Sequence, residues 1–136
     1  MRSLLLLSLL TILLLFSNCI NNVENLKTTD DIDPEDVSYS ADIQTIFTSS
    51  CGGSGCHVGS SINGVNVSSY NATMNSIGSQ YGTEIVVPGN PDDSPLVDKI
   101  EANPEIGSRM PLGRSSLTPT EINQIRAWIT GGAEDN

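Results

Sequence analysis

Positive charge is what this sequence has least of. Six Lys and Arg stand against sixteen Asp and Glu, a formal charge of −10 over 136 residues. Nucleic acid is thereby excluded as a partner, because neutralising phosphates takes clustered cations that the chain lacks. Aromatic side chains are equally scarce: Phe16, Phe47, Tyr39, Tyr70, Tyr81 and Trp128 are the full set, and Phe16 sits in an apolar N-terminal block outside the folded unit. Removing that block from consideration lowers the apolar fraction of 38 % that the rest can bury. A domain this short of large side chains needs a staple, a metal or a cofactor to complete its core. No catalytic triad, paired acid/base site or phosphate loop is present, and Gly131-Gly132 is only a helix stop. The chain reads as a non-enzyme.

Arg2 is the only charge before Glu24, and Leu4 to Phe16 is an apolar run broken only by Ser8 and Thr11. That combination marks a secretory signal peptide over residues 1–18. The run is short for a membrane span, which takes about 20 apolar residues. It ends Phe16-Ser17-Asn18-Cys19, similar to the lipobox of bacterial lipoproteins, and that resemblance implies a diacylglyceryl anchor on Cys19. The alternative is a plain secreted protein with Cys19 near the cleavage site. Loss of residues 1–18 takes away Arg2 alone, leaving 5 basic against 16 acidic residues, or −11. Residues 19–37 are rich in Asn, Thr and Asp with no apolar period, and predict a flexible acidic tether.

The folded unit is expected over 38–133, with 134–136 as a tail. Ser40 can cap a helix over about 41–49, where Ile43, Ile46 and Phe47 share one face. Tyr70, Met74 and Ile77 suggest a weak helix over 68–78, closed by Gly78. Ser94-Pro95 opens another helix with Leu96, Val97 and Ile100 buried. After a long loop over 103–117, Thr118-Pro119-Thr120-Glu121 forms a capping box. It starts a helix with Ile122, Ile125, Trp128 and Ile129 on one stripe, stopped by Gly131. Several short helices, long loops and no convincing strand pair make the fold class all-α.

The chemistry concentrates in Cys51 to His57 (CGGSGCH), which holds two cysteines followed at once by the only histidine. A disulfide is possible outside the cytoplasm, but it closes a tiny loop and leaves His57 without a purpose. Zinc wants four ligands, and only three are on offer. Covalent haem uses everything present: two thiols alkylate the porphyrin vinyls and the adjoining imidazole reaches the iron. Four small residues between the cysteines let the loop bulge past the ring, although the spacing is two residues longer than in C-x-x-C-H.

A His-ligated electron-transfer haem commonly takes Met as its second axial ligand. Met74 lies on the stripe of a weak helix, as core filler does. Met110 lies in a loop bounded by Gly107, Pro111 and Gly113, where helix packing has no use for it. Pro111 also restricts the residue before it, which stiffens the presentation. Met110 is the expected ligand. Arg109 reads equally well as a partner for a haem propionate and as a solvated loop cation.

Taken in order, Cys51–His57, the stretch Val87 to Leu96 (VPGNPDDSPL), Met110-Pro111 and the terminal Leu117 to Ile129 resemble a class I monohaem cytochrome c domain. They are similar, more narrowly, to the small cytochrome c-like domains of exported planctomycete proteins. The resemblance spans about residues 38–133 and implies a cytochrome c fold whose N- and C-terminal helices cross. It implies one covalent haem c on Cys51 and Cys56, with His57 and Met110 on the iron. These four side chains are then expected around one hollow. The implied function is a lipid-anchored electron carrier of the bacterial cell envelope, periplasmic or on the outer-membrane face, with redox protein partners. Its acidity favours basic docking patches on those partners. Two alternatives stay open: a haem-bearing accessory subunit of an exported oxidoreductase, and a haem-free binding lipoprotein stapled by a Cys51–Cys56 disulfide.

Overall fold

The computed structural model describes residues 32–136. Cys19, the signal segment and residues 19–31 of the expected tether lie outside the described residues. The chain enters through a π-helical turn, Tyr39–Ile43, that runs into α1, Gln44–Ser50. The cap is Ser38 rather than Ser40: the Ser38 hydroxyl accepts the Ala41 amide at 3.1 Å. Wider π winding brings the start of the helix forward and leaves Ser40 exposed. Ile43, Ile46 and Phe47 are buried on one face, as their spacing predicts.

Helix α2, Tyr70–Met74, is shorter than expected and is capped by Ser69. Asn75 and Ser76 end it by turning their side chains back to the Asn71 and Ala72 carbonyls at 2.7 and 2.8 Å. Such short polar side chains offer the backbone an alternative to further helix. Ile77 and Gly78 then become strand β1, paired antiparallel with β2, Thr83–Glu84. The described residues are therefore helical with one small ladder, where the sequence predicts no strand pair. Ile77, expected on the buried stripe, is 54 % exposed.

Helix α3, Pro95–Ile100, begins with Pro in its first turn, but Ser94 does not cap it through its side chain. Its hydroxyl instead accepts the Val87 amide and donates to the Asn90 carbonyl, both at 2.9 Å, so it braces the turn before the helix. Helix α4, Pro119–Thr130, has the full capping box between Thr118 and Glu121. No helix or strand interrupts residues 103–117.

The core forms where α4 meets the entering turn. Trp128, Ile125 and Ile129 are essentially inaccessible and pack with Tyr39, Ile43 and Phe47. Tyr39 is the hub: its ring stands edge-on to Tyr70 at 5.2 Å and to Phe47 at 6.4 Å, and tilts over Trp128 at 5.4 Å. Edge-to-face pairs of this kind add about 0.5–1.5 kcal/mol each beyond their buried area. Four of the six aromatics are thus spent in one cluster.

Both ends depart from their expected roles. Residues 32–37 fold onto α4 instead of running free: Asp33 accepts the Glu35 amide, Pro34–Asp36 makes a 3-10 turn, and Val37 is buried. A proline-set turn followed by one apolar anchor offsets the ordering entropy that the acidic composition suggests will win. The tail is docked as well. Trp128 Nε1 donates to the Glu134 carbonyl at 2.9 Å, while Asn136 accepts the Tyr39 amide through its side chain at 2.7 Å and the Ser40 amide through its carbonyl at 3.0 Å.

Candidate haem-binding site

The loop after α1 is shaped by its glycines. Gly52 is buried against the helix end, where a Cβ would stand 2.4 Å from the Thr48 carbonyl oxygen. Gly53 turns with φ +124, and a side chain there would press on the Arg114 guanidinium at 3.1 Å and the Cys56 sulfur at 3.6 Å. Only glycine accepts that combination. The Cys56 amide closes a turn onto Gly53, and the His57 amide returns to the Cys51 carbonyl at 3.0 Å. That last bond ties the two ends of the seven-residue stretch together.

The imidazole of His57 is held from behind. Nδ1 lies 3.2 Å from the Val65 carbonyl oxygen, and a carbonyl only accepts, so Nδ1 is the donor and Nε2 is the ring nitrogen left for another partner. A histidine whose Nδ1–H is fixed by a backbone carbonyl is oriented as metal-ligating histidines are. The His57 carbonyl accepts the Val67 amide at 2.8 Å, which fastens the same two segments a second time.

In front of this wall lies a cleft with two lobes. Cys51, His57 and Met110 border both lobes, and Cys56 borders the second beside Pro111, Leu112 and Arg114. The four expected site residues therefore share one hollow. Val65, Val67, Ile85, Leu96 and Ile100 make most of the first lobe apolar.

Burial, with a smaller push from neighbouring Cys56, drives the Cys51 thiol up to about 11, against a lowering influence from Arg114. The wall thus resists a thiolate. Zinc needs its thiols deprotonated, and among the described residues no group of three or more His, Cys, Asp or Glu side chains is placed to hold a metal ion. The disulfide alternative predicts a Cys51–Cys56 bond, and both thiols are free.

The two methionines separate cleanly. Met74 packs against the main core and is not part of the cleft wall, whereas Met110 is. Met110 is joined to Pro111 by a cis peptide bond, and its amide donates to the Lys99 carbonyl at 2.7 Å. Arg109 donates its Nε–H to the Ile100 carbonyl at 2.7 Å. Sequence reasoning did not place Val65 and Val67 at the site, though their two-residue spacing is the mark of an extended segment showing one face. Nor did it place Tyr81 and Lys99, which border the first lobe. Comparisons with protein-family models, with curated proteins and with solved structures found no match.

Proposed function

We propose that this chain is a c-type cytochrome, exported and tethered to a bacterial envelope membrane through Cys19, that carries one electron between redox proteins. One observation supports this above all others: two free thiols, an imidazole held at Nδ1 by a backbone carbonyl and a thioether all border one hollow. These residues fit haem. Cys51 and Cys56 would hold the ring through neutral thioethers, and a neutral sulfur suits a wall that pushes the Cys51 thiol up to about 11. His57 Nε2 and the Met110 sulfur would donate to the iron.

Haem so held supplies reversible one-electron chemistry. With His57 and Met110 both donating to the iron, no site would be left for a substrate, and the protein would act as a carrier. Val65, Val67, Ile85, Leu96 and Ile100 line one lobe of the cleft with apolar side chains. The second lobe opens beside Leu112, which is 62 % exposed, so a partner can approach there. Acidity supports partners with basic docking patches, since opposite potentials steer encounter.

A visible spectrum of protein purified from envelope fractions of a host able to mature c-type cytochromes tests the proposal. Sharp bands that change on reduction and reverse on oxidation are expected. A colourless, redox-silent protein would overturn it.

A further inference from the structure

Helix α3 grips the Met110 loop at several points. The Asp98 carboxylate accepts the Glu105 amide at 2.9 and 3.2 Å. The Lys99 ammonium reaches over the loop and donates to the Ile106 carbonyl and, at 3.5 Å, to that of Ser108. The Lys99 carbonyl in turn accepts the Met110 amide at 2.7 Å, and the Ile100 carbonyl accepts Arg109 Nε–H at 2.7 Å. Gly107 leaves room for the ammonium: a Cβ there would stand 3.1 Å from Lys99 Nζ, at a φ of +72 that already favours glycine. The ammonium also lies 5.6 Å from the centre of the Tyr81 ring, whose face attracts a cation.

A loop without helix or strand has many conformations to choose among. Here its carbonyls converge on one cation carried by a short helix, and that helix also borders the cleft through Lys99 and Ile100. We infer that Lys99 is a positioning residue, whose ammonium holds the Met110 loop closed over the cleft and so keeps the sulfur presented toward His57. This inference rests on the haem and Met110 reading of the site. It adds that the ligand loop is set by α3 and not by the bound group. Arg109 assists from its side-chain bond to Ile100, while Asp98 fixes the start of the loop.

The test uses the mature, haem-loaded chain with Lys99→Leu, which keeps an apolar stem and removes the charge without adding a new ligand. Losing a charge-assisted hydrogen bond should raise the open population of the loop by roughly 10- to 100-fold. Carbon monoxide binding should strengthen by about that factor and the sulfur-to-iron charge-transfer band should weaken. Hydrogen exchange at the Met110 amide should accelerate in parallel, by a readout that does not involve the iron. Arg126→Gln is the control. It breaks the ion pairs that tie α4 to Asp92, in the turn before α3, and to Glu101, at the end of α3, and it should lower stability while leaving carbon monoxide binding and Met110 exchange unchanged. Wild-type values of both readouts in Lys99→Leu would overturn the inference, as would equal loosening by Arg126→Gln. A wild-type protein that carries no sulfur-to-iron band would instead overturn the site reading, with Met110 exchange still deciding whether Lys99 closes the loop.

Discussion

Replacing Met74 and Met110 by alanine, one at a time, separates packing from ligation. Both side chains are half-buried. A fully buried Met→Ala change costs about 2–5 kcal/mol, so roughly half of that, about 1–2.5 kcal/mol, is expected for Met74 against the core. In a domain near 100 residues such a loss lowers Tm by roughly 5–15 °C. Met110 faces an existing cleft, where truncation enlarges open space instead of creating a sealed void, and its packing loss belongs at or below the bottom of that range. Stability alone therefore ranks Met74 first. Spectroscopy reverses the order: Met110→Ala should abolish the sulfur-to-iron charge-transfer band, admit carbon monoxide and lower the reduction potential, with the haem still covalently bound. Met74→Ala should leave all three at wild-type values. Loss of the band in Met74→Ala with retention in Met110→Ala would refute the assignment.

Before haem attachment, Cys51 should give the chain an alkaline weakness. Its thiol lies near 11 in the fold against 9.0 unperturbed, so the folded state holds the proton more tightly than the unfolded one. Stability from this group is complete below pH 9 and is lost as pH rises through 11, a difference of about 3 kcal/mol at about 1.4 kcal/mol per unit. Tyr39 and Tyr81 are also raised, by burial first and, for Tyr81, by its bond to Asp98 as well. The measurement is therefore the difference between haem-free wild type and Cys51→Ala in denaturant unfolding from pH 8 to 11.5, and identical profiles would show that the thiol is not buried. Cys19→Ala should move the protein from the membrane to a soluble fraction or block processing. Failure of palmitate to label wild type would remove the anchor from the account.

Local signals in the sequence were most legible where they involve neighbours in the chain. The Thr118–Glu121 capping box, Pro at the start of α3 and the Ile43-Ile46-Phe47 face all depend on contacts within one or two turns. Ser94 sits where a cap belongs, yet tertiary demand from Val87 and Asn90 takes its hydroxyl. The apolar stripe through Ile77 fails for a related reason, since Asn75 and Ser76 unwind the helix before it arrives. At the site, Cys51, Cys56 and His57 announce themselves by adjacency, and Met110 by a loop with no structural use for it. The wall they face was hidden, because Val67, Ile85 and Ile100 come from three segments that only the fold brings together. Carbonyl partners were equally hidden: nothing in the residue types says that Val65 will fix the His57 ring or that Lys99 will reach Ile106.

Covalent attachment is the claim on which the rest depends, and denaturing acid extraction of the purified protein into organic solvent tests it most directly. Two thioethers from Cys51 and Cys56 should keep the colour with the polypeptide after the fold is destroyed. Cys51→Ser should leave a single link, and the double replacement of Cys51 and Cys56 by Ser should release the pigment or never acquire it. Complete partition of the colour into the organic phase from wild-type protein would contradict the account.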